Sequence, residues 1–204
     1  MDLFQQNLRL DLIRPNLNGL PAAPLPPGYS WRWFQLGDAA HWLHIHHDAD
    51  PFNDISPELF TRQFGIDFTR LASRQLFVQD AIGRVVGTGT AWSEATCATT
   101  GCGRVIWLAE LRQFQGHGLG KSLLAATCSR LREQGSTHAC VVTSTGRLPA
   151  VNLYLQFGFQ PALHTPEDHA VWDQVFVALK TRGHWPATAL AQPVPFQQTP
   201  LRAA

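Results

Sequence analysis

The sequence predicts an α/β (α+β) fold: a mixed, mostly antiparallel sheet with a central parallel βαβ pair and helices on both faces. Three observations carry this expectation. β-rich runs crowd the middle of the chain, at "RQLFVQ", "RVVGTGTAW" and "RVIWLAEL". A helical period takes over at 118–134, where Leu119, Leu123, Thr127 and Leu131 share one stripe. The short apolar run "HACVVTS" follows, and a strand, a helix and a strand at that separation make a crossover unit, which sets 105–111 and 138–144 parallel.

Taken in order, "LRLDLIRP" alternates apolar and polar positions as a half-buried strand does, and Pro15 stops its ladder, as expected of an edge strand. Residues 20–29, "LPAAPLPPGY", are proline-rich and should run extended as a stiff connector. "YSWRWFQL" reads as a strand, and Asp38 as the N-cap of a helix reaching about Asp48. Ser56 and Pro57 repeat that start signal for a second helix, "PELFTRQF". The turn "DAIG" joins the first two central strands as a hairpin, and the Gly-rich "SEATCATTGCG" leads into the third. Gly135 is placed to end the 118–134 helix. A further helix runs from Pro149 to Gly158, a short strand follows Phe159, and "EDHAVWDQVFVALK" is helix or strand. The predicted organisation is thus 1–28 as strand and connector, 29–182 as one domain, and 183–204 as an irregular Pro/Gln/Ala-rich tail. Trp31, Trp33, Trp92 and Trp107 fall on predicted strands and are expected to pack the core or line a cleft.

Composition limits the partners. With 204 residues, 45% hydrophobic and 15% charged, the chain can bury one substantial core. A formal charge of +1 gives no electrostatic reason to expect nucleic acid or an anionic membrane. No apolar run approaches a spanning length and the N-terminus has no basic leader, which points to the cytoplasm. Cys97, Cys102, Cys128 and Cys140 lack C-x-x-C spacing, so reduced thiols are expected, although Cys97 and Cys102 bracket one loop. An exposed strand edge could pair between subunits, and a monomer with that edge covered is equally compatible.

The stretch "FQGHGLGKSLL" carries the chemistry. A triphosphate loop needs a glycine, four free positions and then Gly-Lys-Ser, and Gln115 stands where that first glycine must be, with Gly116 one place late. The dinucleotide fingerprint fails too, because Gly116, Gly118 and Gly120 are spaced G-x-G-x-G. A strand-to-helix junction still offers the unpaired N–H groups of the first helical turn and the positive end of the helix dipole. Gln115 to Lys121, with His117 and Leu119 between the glycines, can therefore wrap a diphosphate, with Lys121 adding charge at the rim.

Gln115-x-x-Gly118-x-Gly120 resembles the Q/R-x-x-G-x-G/A loop of the GNAT superfamily of acyl-CoA-dependent N-acetyltransferases. Downstream, "RLPAVNLYLQFGF" is similar to that family's second motif, carried by Ala150, Val151, Leu153, Tyr154, Gly158 and Phe159. The resemblance implies acetyl-CoA as acyl donor, a small-molecule or peptide amine as acceptor, and direct attack without a protein nucleophile. It also implies parallel strands splayed by a bulge, with the thioester along the strand that ends at Glu110 and Leu111. A free backbone N–H there would polarise the carbonyl. Tyr154 corresponds to the general acid for the leaving thiolate, a phenol near ~10 serving a thiol near ~8.5. Glu110 stands where a small aliphatic residue is usual and is a candidate general base, its face undetermined by alternation. Arg147 replaces a frequent asparagine and could contact phosphate or the strand end. A non-catalytic acyl-CoA-binding module with the same loop is the alternative.

In "HWLHIHHDAD", His44 shares a helix face with His47 or Asp48, but no third ligand is evident and no metal is expected. Asp48, Asp50, Asp54 and Glu58 could instead make an acceptor mouth attractive to a cationic amine.

Overall fold

The computed structural model describes residues 3–93, 101–183 and 194–195. Cys97, one end of the loop it brackets with Cys102, and most of the tail lie outside them. The chain forms two compact units, one made of Asn18–Ser136 and the other of Met1–Leu17 together with the chain from Thr137 onward.

In the first unit, β2 (Ser30–Trp33), β3 (Gln75–Gln79), β4 (Val85–Trp92) and β5 (Cys102–Glu110) pair antiparallel in sequence order. The predicted hairpin turn is closed by Asp80, whose Oδ1 accepts the N–H groups of Ile82 and Arg84. Strand β4 is buried on both faces. One face packs on α4 (Leu119–Glu133) so closely that a Cβ at Gly89 would lie 2.9 Å from Thr127 Oγ1. The predicted stripe Leu119, Leu123, Thr127 and Leu131 is wholly buried, and Gly135 follows the helix at φ 88. Helix α3 (Pro57–Phe64) is capped as read, Ser56 Oγ accepting the Leu59 N–H. Helix α2 (Ala39–Ala49) contributes Trp42 and Ile45 to a core shared with Phe60, Phe77, Val86 and Leu119.

Two readings are corrected here. Asp38 stands at the N-cap of α2 without capping it, because its buried carboxylate is taken by the Arg32 guanidinium and the Gln35 N–H. Trp31 and Trp33 are 37% and 39% exposed rather than core residues, since β2 is the edge strand and both rings stand on one side of it. The Arg130 guanidinium lies 5.2 Å over the Trp33 ring.

In the second unit, α1 (Leu3–Gln6) precedes β1 (Arg9–Arg14). Strand β1 pairs antiparallel with β6 (His138–Ser144) on one side and β7 (Gln160–Leu163) on the other, while β8 (Val194–Pro195) pairs parallel with β7. The expectation of an edge strand at "LRLDLIRP" therefore fails. Pro15 lies one residue past the strand and interrupts nothing, and Leu10, Leu12 and Ile13 are buried. Helix α5 (Leu148–Gln156) ends where Gly158 takes φ 78. The "EDHAVWDQVFVALK" segment is helical, α6 (Pro166–Thr181), started by a capping box between Thr165 and Asp168.

Candidate functional site

Strand β5 reaches the site through a bulge. Thr90 opposes Ile106 and Thr88 opposes Ala109, so Trp107 and Leu108 stand against Gly89. Trp107 takes φ 52, a conformation rare for a bulky residue. It is held by its indole N–H, which donates to Gln63 Oε1 at 3.0 Å, and by the rings of Trp42 at 4.9 Å and His46 at 5.1 Å. His46 of the histidine cluster is thus buried in aromatic packing.

Beyond the bulge the Leu111 N–H donates to Val86 O at 2.9 Å, and the Leu111 carbonyl accepts from Phe114 N–H at 2.8 Å. Of the two residues expected to offer a free backbone N–H at the strand end, Leu111 spends both backbone groups on the ladder and the following turn. Because antiparallel partners alternate, the Glu110 N–H is the one turned away from β4. The Glu110 side chain lies on the α4 face, since a Cβ at Gly87 would be 3.6 Å from Glu110 Cβ and 3.1 Å from Leu123 Cδ1. Burial pushes its carboxyl up to about 7, opposed by the Gly120 N–H, and its Oε2 is buried with no hydrogen-bond partner.

The glycine loop follows a 3-10 turn, Arg112–Phe114. The Arg112 N–H donates to Asp48 Oδ2 of α2 at 2.7 Å, and Gln115 Nε2 reaches Glu110 O at 3.4 Å. Gly116 takes φ 80 and Gly118 takes φ 88. Gly118 is the N-cap of α4 and offers no capping side chain, so its first-turn N–H groups have no side-chain acceptor from that position. A Cβ at Gly116 would meet nothing within 4 Å, and one at Gly118 only Pro26 Cγ at 3.9 Å. That open backbone is what a diphosphate requires. Gln115, His117 and Lys121 are exposed around it, whereas Leu119 is anchored in the core and has only its backbone to offer. The Arg84 guanidinium lies 5.4 Å over the Phe114 ring, beside the loop.

Tyr154 and Arg147 belong to the other unit. Tyr154 is buried on α5, its ring 5.7 Å from that of Phe159. Arg147 precedes α5 and its guanidinium donates to Oγ of Ser144, the last residue of β6, at 2.6 Å.

Sequence reasoning missed the bulge and positive φ at Trp107, the place of Arg84 beside the loop, and the use of Asp48 as a backbone acceptor. Only the paired glycines of "GTGT" signalled the close strand-to-helix approach behind the bulge.

The chain belongs to the Acetyltransferase (GNAT) family, whose model matches residues 31–159. Among solved structures it is similar to a GCN5-related N-acetyltransferase from Sphaerobacter thermophilus, with TM-score 0.60 and 20% identity over 75% of this chain and 48% of that one. It is also similar to the ribosomal-protein-S18-alanine N-acetyltransferase from Escherichia coli, with TM-score 0.55 and 18% identity over 66% of this chain and 79% of that one. A third is the diaminobutyrate acetyltransferase from Paenibacillus lautus, solved with L-2,4-diaminobutyric acid and coenzyme A, with TM-score 0.51 and 15% identity over 62% and 72%. The chain spans about half, 48%, of the length of each of the first two structures it matches. No curated protein matches it. Among the described residues no helix is long and apolar enough to cross a membrane.

Proposed function

We propose that the chain is an N-acetyltransferase that moves an acetyl group from acetyl-CoA to a primary amine of a small-molecule or peptide acceptor, by direct attack in a ternary complex. The observation that carries this reading is the open backbone at Gly116 and Gly118, at the N-terminus of α4 in a chain of this family. Acetyl-CoA supplies an acyl carbon already activated as a thioester. In this reading backbone N–H groups between Gln115 and Lys121 hold its diphosphate and Lys121 adds charge, with Arg147 a further candidate phosphate contact. The Glu110 N–H, turned away from β4, is the strand-end donor that polarises the thioester carbonyl. Glu110 takes the proton from the attacking ammonium and Tyr154 gives one to the departing thiolate.

The test is calorimetry with acetyl-CoA, followed by release of free thiol on presenting an amine panel. Saturable binding and thiol release with at least one amine are expected, and ATP should bind far more weakly. Binding without turnover on any amine would favour a non-catalytic acyl-CoA-binding module. ATP binding as tight as acetyl-CoA would overturn the diphosphate assignment.

A further inference from the structure

The proline-rich segment before the family-matched region 31–159 does not simply connect. It lies against the glycine loop and the first turn of α4, all within one compact unit. Ser122 Oγ, buried one turn into α4, donates to Pro24 O at 2.8 Å. Leu25 and Tyr29 pack against the core cluster that contains Phe114 and Leu119. Pro26 is the atom group nearest the open side of Gly118. Tyr29 N–H then donates to Pro26 O at 3.3 Å with Gly28 at φ 86, so Pro26-Pro27-Gly28-Tyr29 is a type II turn with proline and glycine where that turn wants them. The turn delivers the Tyr29 ring edge-on to Phe114, with centroids 6.4 Å apart, immediately before Gln115.

We propose that residues 24–29 brace the glycine loop in its binding conformation before the diphosphate of an acyl-CoA arrives, with Tyr29 and Ser122 as positioning residues. The inference rests on the acyl-donor reading above. Gly116 and Gly118 give the loop access to phosphate, and the same glycines leave it more conformational freedom to lose on binding than any other residues would. A stiff proline-rich segment held beside both ends of the loop removes part of that loss in advance. The brace touches Phe114, lies 3.9 Å from where a Cβ at Gly118 would stand, and leaves the face of Gly116 open.

The experiment uses the full chain with Tyr29→Ala, Tyr29→Phe and Ser122→Ala. Hydrogen exchange at amides 115–121 without ligand, calorimetry with acetyl-CoA, and steady-state kinetics are compared. Tyr29→Ala and Ser122→Ala should speed exchange in the loop, weaken acetyl-CoA about five- to tenfold and raise its KM, with kcat and the acceptor KM nearly unchanged. Tyr29→Phe keeps the ring and should restore parental values in every readout. Parental exchange and affinity in both Tyr29→Ala and Ser122→Ala, or a Tyr29→Phe as defective as Tyr29→Ala, overturns the brace. Should Tyr29→Ala not fold, Ser122→Ala removes one hydroxyl and decides alone. If the parental chain fails to bind acetyl-CoA, the acyl-donor reading falls, and loop exchange in the ligand-free variants still decides whether residues 24–29 brace the loop.

Discussion

The Glu110 carboxyl and the Gly120 N–H meet at the first turn of α4, one at the end of β5 and the other two residues into the helix. Strand and helix are joined here by more than the intervening loop. The helix terminus favours a carboxylate at this place, yet burial favours the neutral acid, and burial wins. A carboxyl poised near neutrality beneath the glycine loop is suited to accept a proton.

That position has a pH signature. The folded carboxyl sits near 7 against an ordinary value of 4.5, so its contribution to stability is complete below about 4.5 and is lost as pH rises through about 7. The gap corresponds to on the order of 3 kcal/mol. Denaturant titrations of the parental chain and Glu110→Gln should diverge between pH 4.5 and 7 and stay parallel above it. If Glu110 is also the base, the rise of rate with pH near 7 disappears in the variant. Stability curves that run parallel throughout would mean an ordinary, solvated carboxyl.

Gly118 should be sensitive for a different reason. At φ 88 a β-branched side chain is strained by roughly 1–2 kcal/mol and points toward Pro26, so it distorts the loop. Gly118→Val is expected to weaken acetyl-CoA by at least about tenfold in calorimetry, with the turnover of saturated enzyme changed less. Unchanged affinity in a folded variant removes Gly118 from the site.

Local patterns explain why much of this was legible. Leu119, Leu123, Thr127 and Leu131 recur at four-residue spacing, and Ser56-Pro57 and "DAIG" carry their own turn chemistry, so these elements follow from neighbouring residues alone. The bulge at Trp107 depends on register with Gly89 on another strand, and a tryptophan in a β-rich run gives no sign of a positive φ. Pro15 misled because its effect depends on whether it falls inside or just beyond β1. The turn in "PPGY" is readable, but its seat beside Gly118 is a contact about ninety residues away in sequence and has no local signature.

Asp48 is another such long-range contact, sixty-four residues from the N–H it holds. The Arg112 turn opens the loop, and a carboxylate fixing its first N–H sets the direction in which Gln115 leaves. Asp48→Ala should therefore lower acetyl-CoA affinity about three- to tenfold, while Asp48→Asn keeps an acceptor oxygen and stays within about twofold of the parent. Equal affinities for the two variants would reduce Asp48 to a surface charge.

Tyr154 offers the cleanest separation of binding from chemistry. Its ring is packed against Phe159 on the buried side of α5, and phenylalanine preserves that packing while removing only the hydroxyl. If the phenol protonates the leaving thiolate, Tyr154→Phe should bind acetyl-CoA as the parent does and turn over on the order of ten- to a thousandfold more slowly. The loss should shrink with acceptors or acyl donors for which thiolate departure is no longer rate-limiting. A thermal transition like the parent's must accompany the loss, since a buried hydroxyl can also contribute about 1 kcal/mol through a hydrogen bond. A folded Tyr154→Phe that transfers acetyl at the parental rate to its true acceptor leaves Tyr154 as a packing residue and moves the general acid elsewhere.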